Sequence, residues 1–168
     1  MLGRLYEDQD CSTARALEVV GERWSLLILR DAMFSNFTRF SQFERSLGVA
    51  TNILAKRLEG FVTAGLMARR EPGVPGEQAE YVLTQKGLEL KPAIMALAAW
   101  GDKWVRPGPV VFQTGSDGQP VEVQLRGITA DAPVAVADVV VRQRNRPSAR
   151  HRRRAERSTR LPAGGSRR

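Results

Sequence analysis

Between Thr51 and Thr63, the polar residues Asn52, Lys56, Glu59 and Thr63 recur every three or four positions, and Leu54, Leu58 and Phe61 do the same between them. At 3.6 residues per turn these sets occupy opposite faces of one helix, the apolar one turned to a core. Asn offers an amide that can bond the edge of adenine, and Lys a donor that suits guanine. The outward set is therefore equipped to read bases in a major groove, although it would also serve as an ordinary solvated face. Thr51 opens the segment. Arg57 lies beside the core stripe, placed either for an ion pair or for a phosphate. Arg39, Arg69 and Arg70 flank the segment as candidate phosphate contacts or plain surface charge.

A second reactive position is Cys11, just ahead of a segment with helical periodicity. A helix N-terminus favours the thiolate and lowers the thiol pKa, which is what a redox or electrophile sensor needs. The alternative is a small packing residue. Nothing resembles a catalytic set: the only His, His151, sits in an Arg-rich tail, no Gly-rich phosphate loop follows a strand, and Asp and Glu show no metal-ligand spacing. Neither enzyme activity nor a metal or cofactor is expected.

The elements that would carry these residues follow from periodicity and punctuation. Ser12 or Thr13 can cap a first helix bearing Ala16, Leu17 and Val20, stopped by Gly21. The next, Glu22 to Met33, is apolar nearly all round, as a central buried helix is. Ser41-Gln-Phe-Glu44 has capping-box form and opens a third helix to Leu47. Gly48 ends it, and after a very short turn the helix from Thr51 to Ala64 follows, with Ala50 placing the cap on Thr51. Two helices so joined make a helix-turn-helix. Leu66 to Glu71 and Tyr81 to Leu83 read as the strands of a hairpin, a wing, around a loop rich in Pro and Gly. Thr84 can cap a long helix from Gln85 to about Val105, kinked at Pro92. Its stripe is Leu90, Ile94, Leu97, Gly101 and Trp104; Trp100 and Trp104 would serve a core or a dimer interface, or could line an aromatic ligand pocket. Short β-branched runs from Val110 to Val141 read as small strands, and no internal repeat is apparent.

The 168 residues have room for one domain with a real core and some extra, divided here as 11–105, 106–141 and 142–168. The formal charge of +8 is uneven. From Arg142 onward there are eleven Arg and one acid, a net of +10, so residues 1–141 are slightly acidic at −2. The tail's Arg, Pro, Ala, Gly and Ser composition reads as disordered. It could be a nonspecific nucleic-acid arm, an interaction segment or an unselected terminus. One Cys excludes an internal disulfide, and no segment has the length of a signal peptide core or a membrane span, so a cytoplasmic protein is expected.

Taken in order, Cys11-Ser-Thr-Ala-Arg-Ala-Leu17, Gly21-Glu-Arg-Trp-Ser-Leu-Leu-Ile-Leu29, Arg39-Phe-Ser-Gln-Phe43, Leu54-Ala-Lys-Arg-Leu58, Ala64-Gly-Leu66, Glu80-Tyr-Val-Leu-Thr84 and Ala99-Trp-Gly101 resemble the HxlR-type regulators. The resemblance implies a mainly α fold with a small β wing, a winged helix-turn-helix of MarR/HxlR type, here with a short β-rich extension and the tail. It implies a transcriptional regulator, a repressor in the first instance, that binds double-stranded DNA at inverted-repeat operators. It implies a homodimer through the first and last helices, with Leu17, Ile94, Leu97 and Trp104 at the interface. It also carries a switch role onto Cys11, answering an oxidant or small-molecule effector. The rival reading is a nonspecific nucleic-acid binder that relies on the tail. This chain departs from the family at Ala50, Thr51 and Asn52, where Ser, Pro and a basic residue are common, and at the wing tip Gly76-Glu77-Gln78-Ala79, where a basic residue is common.

Overall fold

The computed structural model describes Tyr6, Gln9 and residues 11–74 and 78–141; the wing tip at Gly76 and Glu77, His151 and the Arg-rich tail lie outside the described residues. The elements run α1 (Ser12–Val20), α2 (Ser25–Phe34), α3 (Phe40–Leu47), α4 (Thr51–Thr63), β1 (Met67–Arg70), β2 (Glu80–Leu83), α5 (Gln85–Leu88) and α6 (Lys91–Trp104). By its contacts the chain forms two compact units, Met1–Val123 and Gln124–Arg168.

In the first unit the core gathers where α2, α3 and α4 meet: Ile28, Leu29, Phe43, Leu54, Leu58 and Phe61 are all essentially inaccessible to water. Burying each large apolar side chain contributes about 1.5–3 kcal/mol, so this cluster is what holds the three helices together. Beneath it β1 and β2 pair antiparallel, Met67 opposite Leu83 and Arg70 opposite Glu80. The chain ahead of α3 extends this hairpin, with Arg39 bridging to Glu80 and the Tyr81 amide donating to the Thr38 carbonyl at 2.7 Å.

Several helix boundaries differ from those expected. The cap of α1 is Cys11 rather than Ser12 or Thr13. α2 begins at Ser25, because Trp24 takes a left-handed backbone (φ 77) that no helix can contain. α3 starts at Phe40, and its first turn is closed by Gln42, whose Oε1 accepts from the Arg39 amide at 2.8 Å and the Thr38 amide at 3.0 Å. The expected Ser41/Glu44 box is replaced by that arrangement. The long last helix is two pieces. α5 ends at Leu88, and Pro92 falls in the first turn of α6, where its missing N–H goes unneeded; Pro92 starts a helix instead of kinking one. Gly87 in α5 has no room for a Cβ, which would lie 2.2 Å from the Leu66 carbonyl oxygen, so its smallness lets α5 close on the start of the hairpin.

The expected small strands of the extension are instead two tight turns with isolated bridges, and they repeat. In the first unit, Gln113 bridges Pro120, the Thr114 amide bonds the Gln119 carbonyl at 2.8 Å, and Gly118 has positive φ (69). In the second unit Arg126 bridges Pro133, the Gly127 amide bonds the Ala132 carbonyl at 2.9 Å, and Asp131 has positive φ (47). Each position recurs thirteen residues on. Few side chains match between the copies, so residue identity hides a repeat that the backbone bonding displays. In the first turn Phe112 stacks at 5.2 Å on Phe34, the last residue of α2.

Candidate nucleic-acid interface

α4 is held by several anchors besides its apolar stripe. The turn before it passes through Gly48, left-handed at φ 59, which reverses the chain within a few residues of the end of α3. The Thr51 hydroxyl does not cap α4; it donates to Glu44 Oε1 of α3 at 2.6 Å and ties the two helices across the turn, while Ala50 leaves the first amides of α4 without a side-chain partner. At the far end Lys86 Nζ donates to the carbonyl of Ala64 at 2.7 Å, a cation at the negative end of the helix dipole.

Asp31 was not singled out by sequence, and it orients this pair. Only 3% exposed, it accepts from Ser46 of α3 at 2.8 Å through Oδ2 and from Arg30 at 2.8 Å through Oδ1. A buried carboxylate held by a charged partner and a hydroxyl fixes the angle between α2 and α3. A lone Asp inside an apolar helix was the signal available for finding it.

On this scaffold Thr51, Asn52, Lys56, Glu59 and Thr63 are all exposed, the last four on one side of α4. An open cleft of 440 Å³ runs along this side, lined by Lys56, Glu59, Gly60 and Thr63 of α4 and by Glu18 and Val19 of α1. Arg57 also reaches the cleft, but it is not free there. Its guanidinium sits 2.8 Å from Glu22, with both side chains mostly covered, so it fastens α4 to the turn before α2. Among the flanking cations Arg39 lies 3.8 Å from Glu80 and Arg69 3.0 Å from Glu71, both exposed. Arg70 is exposed on β1 with no ion pair among the described residues.

Cys11 is neither buried nor packed. Its thiol is exposed and free, and Sγ accepts from the Ala14 amide at 3.2 Å. That bond, helped by Thr13 and the charge of Arg15, holds the thiol below its usual pKa. The expected dimer residues divide. Ile94 is buried in its own subunit's core, which corrects its placement at an interface, whereas Leu17, Leu97 and Trp104 stay exposed at 42%, 53% and 66%. Trp100 is exposed as well, at 60%, so the two tryptophans line no enclosed pocket.

A helix pair joined by a left-handed glycine, a third helix beneath it and a following two-stranded hairpin define a winged helix-turn-helix protein. More narrowly, the chain belongs to the HxlR-like helix-turn-helix family, whose model matches residues 19–109. It is 46% identical over 102 residues to the HTH-type transcriptional regulator Rv3095 of Mycobacterium tuberculosis, a stretch that is 60% of this chain and 64% of that one. The chain thus spans somewhat under two thirds of those mycobacterial relatives. It is 31% identical over 103 residues, 60% of its length, to the regulator BH0655 of Halalkalibacterium halodurans, of which 90% is covered. Among solved structures it is similar to PA1607, a candidate transcription factor, with a TM-score of 0.73 and 38% identity, covering 83% of this chain and 99% of that one. PA1374 from Pseudomonas aeruginosa follows at a TM-score of 0.59 and 34% identity, with 86% and 99% covered. No helix among the described residues is long and apolar enough to cross a membrane.

Proposed function

We propose that this protein is a sequence-specific DNA-binding transcriptional regulator, acting as a homodimer on inverted-repeat operators and repressing the genes beside them. The observation that carries this is the outer face of α4: Asn52 and Lys56 stand exposed on a helix whose other face is locked into the core, within a family named for its helix-turn-helix. A helix so held can enter a major groove without distorting the subunit, and Asn and Lys can then meet base edges. Arg70, and Arg39 and Arg69 if they leave their exposed acid partners, would meet the phosphates that set its register. The two-fold partner is supported by α6, which leaves Leu97, Trp100 and Trp104 in water, and by Leu17 on α1. Two-fold symmetry places two α4 helices on half-sites about one helical turn apart.

The test is operator binding by the full chain and by a chain ending at Val141. Equal, sequence-dependent binding by both supports this reading. Loss of all binding with the tail supports the rival, in which the Arg-rich segment supplies nonspecific affinity.

A second reading concerns Cys11, and the exposed, low-pKa thiol at the start of the helix that bears Leu17 favours it. Oxidation or adduct formation there removes the cap of α1 and alters packing beside the proposed interface. With no second Cys in the chain, a sulfenic acid must pass to a partner subunit's thiol or a small thiol, with release of water. Operator binding before and after diamide or a quinone, for the parent and Cys11→Ser, tests it; equal affinity throughout rejects the switch.

A further inference from the structure

The cleft beside α4 takes one wall from each of two helices, Glu18 and Val19 from α1 and Lys56, Glu59, Gly60 and Thr63 from α4. Its 440 Å³ falls within the roughly 300–1,000 Å³ of small-molecule sites. Folding alone does not account for Gly60. A glycine inside a helix weakens it relative to alanine, and a Cβ on Gly60 would meet nothing within 4 Å. Gly60 is also absent from the glycines with positive φ. Neither a crowded neighbour nor a left-handed backbone therefore calls for glycine there. What the missing side chain does is leave one wall of the cleft bare, so that another molecule can come close to the backbone of α4.

The charges of the cleft select that molecule. Arg57 is taken by Glu22, which leaves a carboxylate on each wall, Glu18 and Glu59, against the single ammonium of Lys56. None of these three has an ion pair among the described residues. The rest of the lining includes Val19 and Ala64, which with Gly60 offer apolar surface between the charges. One carboxylate in excess beside an apolar strip suits an organic cation with a small apolar body, because a charge-assisted bond holds the ammonium while the body covers the strip.

We propose that the cleft between α1 and α4 binds a small organic amine, and that the bound amine excludes DNA. Lys56, Glu59 and Thr63 belong both to the cleft and to the outer face of α4, so a molecule that fills the one obstructs the other. This rests on the DNA-binding reading above, and the two can fail separately. The probe is phenethylamine, with phenylacetate as the anion of similar body, and binding to the full chain is followed by calorimetry. Phenethylamine should bind at least tenfold more tightly than phenylacetate. At ten times its own Kd it should raise the operator Kd by at least about tenfold. Gly60→Leu should abolish amine binding without lowering the melting temperature, since nothing within the fold meets the new side chain, and the smaller Gly60→Ala should weaken it in the same direction. Glu18→Gln should weaken amine binding several-fold and leave operator affinity in the absence of amine unchanged. No binding of phenethylamine, or binding that Gly60→Leu and Glu18→Gln leave undiminished, overturns the site. Equal binding of phenylacetate overturns the choice of a cation, and operator affinity unmoved by saturating amine overturns the exclusion. A parent chain that binds the amine with these sensitivities but binds no operator overturns the DNA-binding reading and not the site.

Discussion

α4 sets Leu54, Leu58 and Phe61 into the core and α6 only Ile94, and the residues the two helices leave in water differ in kind. α4 shows Thr51, Asn52, Lys56, Glu59 and Thr63, groups that water can satisfy, with Ile53 its one large apolar side chain in water; α6 shows Leu97, Trp100 and Trp104. The first face is stable bare and waits for a ligand of matching polarity. The second is of the kind that a partner surface covers in the dimer proposed above, since large contiguous apolar patches seldom stay exposed on monomeric proteins. The two faces therefore point to two kinds of partner, a polyanion for α4 and a second protein surface for α6.

The largest expected effect comes from making α6 resemble α4. Leu97→Asp should give monomers in sedimentation and, because linked half-sites gain about 10²–10⁴-fold over one, lower operator affinity by at least about 100-fold. A stable dimer would move the interface away from α6. Next is the brace between α2 and α3, on which α4 is seated. Asp31→Ala leaves Ser46 and Arg30 without their acceptor and should cost about 1–3 kcal/mol of stability in denaturant unfolding, more than a surface change does. If stability is unchanged, Asp31 does not brace α3. Lys56→Ala and Asn52→Ala should each weaken operator binding by about 1–3 kcal/mol with loss of preference at particular bases and unchanged thermal melting. Unchanged affinity and base preference in both would show that this face of α4 is merely solvated. The smallest effect belongs to Arg70→Ala, which should weaken binding alike for operator and random DNA and lower the slope of log K against log salt by about 1. A change confined to one base position would instead make Arg70 a reader of sequence.

A change that leaves the comparison intact concerns Cys11. Because its thiol is held below the usual pKa, the pH at which alkylation reaches half its maximal rate should be lower for the folded chain than for the chain in denaturant. The thiolate is the form that accepts the Ala14 amide best, so the benefit to α1 is present above the thiol's ordinary pKa and fades as pH falls through the folded value. Coincident profiles would remove the cap's influence on reactivity.

Much of how α4 is seated was legible in the sequence. The 3.6-residue spacing of Leu54, Leu58 and Phe61 marks the buried side of α4 and so its outward side, and Gly48 and Gly65 mark the breaks around it. Those readings rest on local rules in which a residue's periodicity or backbone freedom decides. They match the structure because the apolar spacing of α4 and the core at α2, α3 and α4 point the same way, even where the expected caps do not form.

Other features depend on residues distant in sequence, which no local pattern contains. Arg57 could have faced a phosphate until folding set it 2.8 Å from Glu22. Ile94 shares a stripe with Leu97 and Trp104, yet of the three only Ile94 is buried in the core. Thr51 is a good capping residue, but Glu44 competes for its hydroxyl once α3 lies alongside. The thirteen-residue repeat of the extension is written in backbone hydrogen bonds, not in side chains. Sequence by itself determined which residues α4 buries and which it offers, because helical geometry needs nothing beyond the spacing of apolar positions. Tertiary structure alone decided which charges are taken by internal partners and which remain free for a ligand, because that depends on what folding brings within about 4 Å, the reach of an ion pair.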